Sequence, residues 1–533
     1  MALVHVPAEQ ALGSKNRFDR WGKAAERLKP ECWPHVSTPF ALHRGAKVFT
    51  IGSCFARNIE ERLARVGFDI PMLAFSAPQS EHAGARAAGI LNKYTPASIY
   101  QEIAWAADIY ERDSVPTRAD SEKFLYLLDD GSAIDNNLAD HVSVGLDRFF
   151  ERRVDIYSVF KHAFDAECVV ITPGLVEAWW DTERGIYIQD PPWPRELKKF
   201  RGQCEFVQLD YTTAFDYLQR TIDRIRSINP DAKFLITTSP VPLGKTFTDD
   251  DIIVANSYAK STLRAACGDL VKRNDNIGYF PSFESVMLSK GDGVWEDDGI
   301  HVTQAFVSSI VAHLTQAYCP DVSEGDRLFL SSLSSTDTNE RLALAKRAVE
   351  LEPERPELLD HLGTLYCNAQ DFEAAVGVLQ RAVDLRPDWE HRYHLAMALQ
   401  GVRRFREAGE LLEVLVVENP DSTDAATRLS HSLIILGQAQ RARAFLEQRI
   451  ASAPSSALYY WLSTAMGHAG DNADAALMAE KSIELDPGNP HNWYLAGTYH
   501  AKANRKAPRP FFEKALEIAP DVKAFQDALK PQI

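Results

Sequence analysis

The chain has 533 residues, too many for one compact core, and length alone suggests about two to four domains. Its composition, 45% hydrophobic, 25% charged and 10% aromatic, is that of a globular protein and argues against the disordered and membrane classes. A formal net charge of −16 disfavours general affinity for nucleic acid or anionic lipid, since both need a basic surface.

From the N-terminus, residues 1–44 read as an extension that lacks the basic and then apolar order of a secretory leader. No apolar run approaches the roughly 20 residues that span a bilayer, so no membrane span and a cytoplasmic address are expected. Seven scattered cysteines, with no CxxC pair, point away from a disulfide framework and a thiolate zinc site.

Over 45–320, short apolar runs alternate with amphipathic stretches. KVFTI (47–51), CVVIT (168–172) and KFLITTS (233–239) read as buried parallel strands. ARNIEERLARVGF (56–68) and FDYLQRTIDRIRSI (215–228) read as helices between them. Such alternation predicts a doubly wound, mainly parallel α/β sheet, whose sites form beyond the carboxyl ends of the strands. Residues 121–136 and 183–212 read as inserted loops or hairpins.

Gly52-Ser53-Cys54-Phe55-Ala56 falls at such a strand end. A serine there is exposed at the rim of the sheet, where the N–H groups and positive partial charge of a helix N-terminus favour an oxyanion. The same serine would also serve as a simple N-cap, and local sequence alone favours the cap. Further on, Asp298-Gly299-Ile300-His301 opens the stretch VTQAFVSSIVAHL. Asp and His three apart on a turn entering a helix lie side by side, so the carboxylate holds the imidazole's tautomer while the other ring nitrogen faces a nucleophile. The plain alternative is a helix-entry turn with an incidental histidine. The sequence has no GxxxxGK[ST], no GxGxxG after a strand and no HExxH, so neither cofactor nor metal is expected.

Residues 321–336, rich in Ser, Asp and Thr, read as a linker. In 337–533 proline recurs after apolar helical stretches at Pro353, Pro387, Pro420, Pro454, Pro487 and Pro520, at intervals of 34, 33, 34, 33 and 33. Proline stops a helix because it lacks an N–H and clashes with the preceding turn. A period near 34 marks stacked helical hairpins, here five of them. Leu359, Leu362, Gly363 and Tyr366 line the first helix of the first full unit, and Ala375, Leu379 and Ala382 line the second. In the last unit Pro508 stands where a small residue is usual, which leaves the start of that second helix open. Residues 337–353 and 521–530 read as terminal caps. This region resembles the tetratricopeptide (TPR) repeat, and that resemblance implies an all-α solenoid with a concave groove for a protein or peptide partner.

The string GSCFA, after a strand and before a helix, resembles the signature of the GSCFA domain family, itself similar to SGNH/GDSL hydrolases. The resemblance spans about 45–315 and implies an acylesterase or acyltransferase with Ser53 as nucleophile, His301 as base and Asp298 as its orienting carboxylate. It further implies oxyanion or substrate contacts from Cys54, Gly89, Asn92, Gly174 and Glu177. The superfamily's Gly-x-Asn-Asp block is absent, Val176 standing where its asparagine would fall, and Asn92 is the candidate substitute. Val302 replaces a frequent proline. Cys54 is a rival nucleophile. Glu177, Arg57 and Lys260 are within the set that could touch substrate, but each reads first as a solvated or salt-bridged side chain. Trp179 and Trp180 read as packing, with stacking against a sugar left open. The implied substrate is an acylated or acylatable glycan or polymer precursor. The alternative is a catalytically silent α/β scaffold whose repeats mediate protein–protein interaction.

Overall fold

The computed structural model describes residues 3–529 apart from 13–15, 17, 22–24, 83–85, 140–141 and 193–194. The chain divides into two compact units, Met1–Leu344 and Ala345–Ile533. No helix among the described residues is long and apolar enough to cross a membrane.

The strands of the first unit are β1 (Val48–Gly52), β2 (Leu125–Leu127), β3 (Ala133–Asp135), β4 (Cys168–Thr172), β5 (Glu177–Asp181), β6 (Ile186–Ile188), β7 (Cys204–Gln208), β8 (Lys233–Ile236) and β9 (Ile277–Tyr279). A parallel sheet runs β1-β4-β8-β9, with Gly52 opposite Thr172 and Ile171 opposite Ile236. An isolated parallel bridge joins Lys47 to Asp69 on the other side of β1. Chain order therefore reverses at β1, which makes its carboxyl end the topological switch point where α/β sheets bind ligands.

Both faces of this sheet are covered, as the unbroken apolar runs require. Phe49, Ile51, Val169, Ile171, Phe234 and Ile236 share one core with the helices Pro96–Tyr110, Leu146–Phe160, Tyr211–Arg226 and Ile252–Arg273. The alternate residue Thr50 points to the other face, where its hydroxyl donates to Glu60 on the helix Cys54–Arg65. β2 and β3 form a hairpin within 121–136, and β6-β5-β7 is an antiparallel sheet that takes in much of 183–212.

Residues 324–334, within the expected linker, are instead the helix Glu324–Ser334. Ser323 and Asp326 form a reciprocal capping box at its start, and Phe329 and Leu330 are buried. The serines that suggested a linker sit in its last turns.

The second unit is a TPR array. Its five hairpins pair Pro356–Asn368 with Phe372–Leu385, Trp389–Gly401 with Phe405–Glu418, Thr423–Ile435 with Ala439–Ser452, Ser456–His468 with Asn472–Leu485, and Pro490–Ala503 with Arg509–Ile518. The last helix is 10 residues where its counterparts have 14, because Pro508 and Pro510 confine its start. The terminal helix is Lys523–Ala528, and residue 530 of the expected cap lies outside the described residues.

The helices pack closely because small residues oppose large ones: a Cβ on Gly363 would collide with the Leu379 side chain. Leu379 is fully buried. Leu379→Ala should therefore cost about 2–5 kcal/mol of stability. Val417→Ala, at a residue 76% exposed, should stay within about 0.5 kcal/mol. Urea unfolding of the two variants checks this, and equal midpoints would contradict the packing.

Candidate active site

Two turns build the site. Gly52 ends β1 with φ +146°, and a Cβ there would collide with the hydroxyl and carbonyl of Thr172. This close approach aims Ser53, 2% exposed, out of the strand and into the helix Cys54–Arg65. Ser53 is that helix's N-cap, its Oγ accepting the Phe55 N–H at 3.3 Å. In the second turn one oxygen of Asp298 accepts the N–H groups of Ile300 at 2.8 Å and His301 at 2.9 Å. The other oxygen meets His301 Nδ1 at 2.6 Å. The hydrogen bond from His301, reinforced by the two amides, pushes the Asp298 carboxyl down to about 2.

Ser53 and His301 line one cleft of about 430 Å³, together with Cys54, Gly174 and Glu177. No hydrogen bond joins Ser53 Oγ to His301 among the described residues, as is common before substrate binds. A second groove of about 380 Å³ holds Gly89 and Asn92 and shares Cys54, Val241 and His301 with the first. The structure thus gathers the expected site residues around one corner, with Asp298 behind the imidazole.

Their hydrogen bonds separate them. Ser53 N–H donates to Thr172 O at 3.1 Å, Gly89 N–H to Arg86 O at 3.0 Å and Gly174 N–H to Tyr94 O at 2.9 Å. In this state, contrary to expectation, the amides of Gly89 and Gly174 are committed elsewhere and are not open to an oxyanion. The Cys54 N–H, at the first helical position, donates to no oxygen among the described residues. Asn92 is buried, its Nδ2 only 3.4 Å from Tyr94 Oη and its Oδ1 without a partner. Glu177 takes the Thr246 hydroxyl at 2.7 Å and the Phe247 N–H at 3.0 Å, so it anchors the loop over the cleft. Burial pushes the Cys54 thiol up, with Lys260 opposing, which weakens it as a rival nucleophile.

Of the side chains read as peripheral, Arg57 is buried and pairs with Glu60 at 2.8 Å. Trp179 lines the cleft edge-on to Phe247, and Trp180 packs edge-on to Tyr187. Ser239 ends the run 233–239 and opens a family-like Ser-Pro-Val-Pro stretch, and the sequence alone gave it no role at the site. It lines the cleft beyond the end of β8, with a buried Oγ that has no hydrogen-bond partner among the described residues. Its signal was its place after a strand, the same that marked Ser53.

Residues 47–314 match the GSCFA family. The chain belongs to the GSCFA family. Its hydrolase-like GSCFA domain is joined to the TPR array. Human protein O-mannosyl-transferase TMTC1 is 30% identical to this chain over 191 residues, covering 34% of this chain and 22% of that protein. The chain thus spans about a fifth of the length of that curated relative. Among solved structures, YrrB, a TPR protein with an unusual peptide-binding site, is 20% identical over 34% of this chain and 96% of its own, with a TM-score of 0.27. TTC0263, a thermophilic TPR protein of Thermus thermophilus, is 19% identical over 32% of this chain and 96% of its own, with a TM-score of 0.30.

Proposed function

We propose that the GSCFA domain is a serine acyl esterase or acyltransferase acting on an acylated or acylatable glycan or polymer precursor. The supporting observation is that Asp298 holds His301 Nδ1 at 2.6 Å while the imidazole and Ser53 line the same cleft. Ser53 Oγ attacks the acyl carbon as His301 Nε2 takes its proton. The tetrahedral oxyanion is met by the Cys54 N–H at the helix N-terminus, with Asn92 and Ser239 as side-chain donors. Collapse breaks the bond to the leaving alkoxide, which takes the proton from His301. Water or an acceptor hydroxyl then attacks the acyl-enzyme, giving hydrolysis or transfer from one intermediate. The aromatic walls Trp179 and Phe247 suit the face of a sugar ring. The TPR array holds a protein or peptide partner of this enzyme. Seven free cysteines fit a reducing compartment, the cytoplasm.

The test is a fluorophosphonate probe on the full-length protein. Labelling should map to Ser53, vanish in Ser53→Ala and persist in Cys54→Ser. Incubation with an acyl donor, with and without sugar acceptors, then separates transfer from hydrolysis. An unlabelled wild type would leave the α/β domain as a scaffold for the repeats.

A further inference from the structure

Lys260 lies on the Ile252–Arg273 helix and is 2% exposed, yet no carboxylate pairs with it among the described residues. Its Nζ donates to the carbonyl of Gly174 at 2.7 Å and to that of Val241 at 2.5 Å. Gly174 follows β4 and Val241 follows β8, and both line the catalytic cleft. The ammonium therefore ties together the two loops that leave the sheet at its carboxyl edge. Gly174 in turn abuts the nucleophile, since a Cβ built on it would lie 3.3 Å from Ser53 Cβ.

A buried ammonium bound only to neutral carbonyls is costly, because its hydration is lost and no opposite charge replaces it. A hydrocarbon side chain would fill the space without the charge, but it would leave the carbonyls of Gly174 and Val241 without this donor. What the charge does is favour negative charge nearby, and in a water-poor site it acts with little screening.

We propose that Lys260 is a positioning residue of this active site, fixing Gly174 and the Val241 loop around Ser53 and supplying the positive potential under which the oxyanion forms. This rests on Ser53 being the nucleophile. Burial lowers the Lys260 ammonium to about 7, and the Cys54 thiol opposes that shift. Cys54 faces it from the Cys54–Arg65 helix, and the two loops present the carbonyls of Gly174 and Val241. The charge is thus present below about 7 and lost above it.

The experiment measures the rate of fluorophosphonate labelling of the full-length protein against pH. Wild type should show a falling limb as pH rises through about 7. Lys260→Met should label about 10²-fold more slowly below that midpoint and lack the limb. Lys260→Arg stays charged, so it should keep the rate and also lack the limb, an outcome that a purely space-filling role does not produce. A second readout needs no catalysis. Between about 7 and 10.5 the unfolded chain binds a proton at Lys260 that the native chain does not, so wild-type stability relative to Lys260→Met should rise with pH across that window.

A Lys260→Met protein that labels at the wild-type rate with the wild-type pH profile overturns the proposal and leaves Ser53 as the nucleophile. A stability difference flat in pH overturns the buried charge. A wild type that does not label removes both this proposal and the nucleophile it rests on.

Discussion

Asp298→Asn should slow acylation of Ser53 by about 10⁴-fold while leaving the fold intact. The turn survives, because the asparagine carbonyl still accepts the N–H groups of Ile300 and His301 that Asp298 accepts at 2.8 and 2.9 Å. What changes is the other atom. An NH₂ replaces the oxygen at 2.6 Å from His301 Nδ1, so Nδ1 must accept, Nε2 must carry the proton, and the base that faces Ser53 is lost. Asp298 is exposed, so its replacement should leave the thermal midpoint close to that of wild type. Labelling rate and thermal midpoint, measured on the same samples, check the two halves. A near wild-type rate would remove the Asp–His pair from the mechanism.

The pH dependence of Asp298 has a definite sign. Its folded pKa of about 2 lies below its ordinary value of 3.8, so the stabilisation from its ionised form is present above the ordinary value and is lost progressively as pH falls from there through about 2. Acid inactivation at milder pH therefore arises from other groups, and Asp298→Asn should leave the acid side of the unfolding profile unchanged above about 4.

The parts of this protein that were legible in its sequence are those set by local periodicity. Continuous apolar runs gave β4 residue for residue and placed β1 and β8 within a few residues, and proline spacing gave the five hairpins. The reversal of chain order at β1 was not legible, since Asp69 joins the sheet through a single bridge with no strand-like run around it. β9, of three residues, was equally silent, because so short a strand carries little pattern, whereas the β6-β5-β7 sheet showed only as a loop or hairpin over 183–212.

At the site, the turn residues Ser53, Asp298 and His301 were readable from position and spacing. The state of the amides was not, because it depends on partners distant in sequence. Gly174 N–H is taken by Tyr94 O, 80 positions before it in the chain. Lys260 was read as solvated or salt-bridged because lysine is seldom fully buried without a partner. Yet Ala259 and Leu263 beside it are fully buried, and a lysine among inward-facing residues of a helix was the available signal.

Gly52→Ala is expected to be the most damaging single-methyl change in the GSCFA domain. At φ +146° the backbone lies where only glycine is at ease, and the added Cβ would meet the Thr172 hydroxyl, carbonyl oxygen and carbonyl carbon at once. Strain of about 1–3 kcal/mol and overpacking of about 1–3 kcal/mol together give a loss of roughly 2–6 kcal/mol. Thr172 cannot yield easily, because it ends a fully buried strand paired to both β1 and β8, and its carbonyl also accepts the Ser53 N–H at 3.1 Å. Any chain that folds despite this must shift the Gly52–Ser53 peptide, and a displacement near 1 Å at a nucleophile costs about 10²-fold in rate. Gly202→Ala is the matched control, since a Cβ there meets nothing within 4 Å and its φ is not positive. Its midpoint should move by no more than about 0.5 kcal/mol. Urea unfolding of both variants, with labelling of the folded fraction, tests the argument: a Gly52→Ala protein as stable and as reactive as Gly202→Ala would show that the β1–β4 contact does not set the position of Ser53.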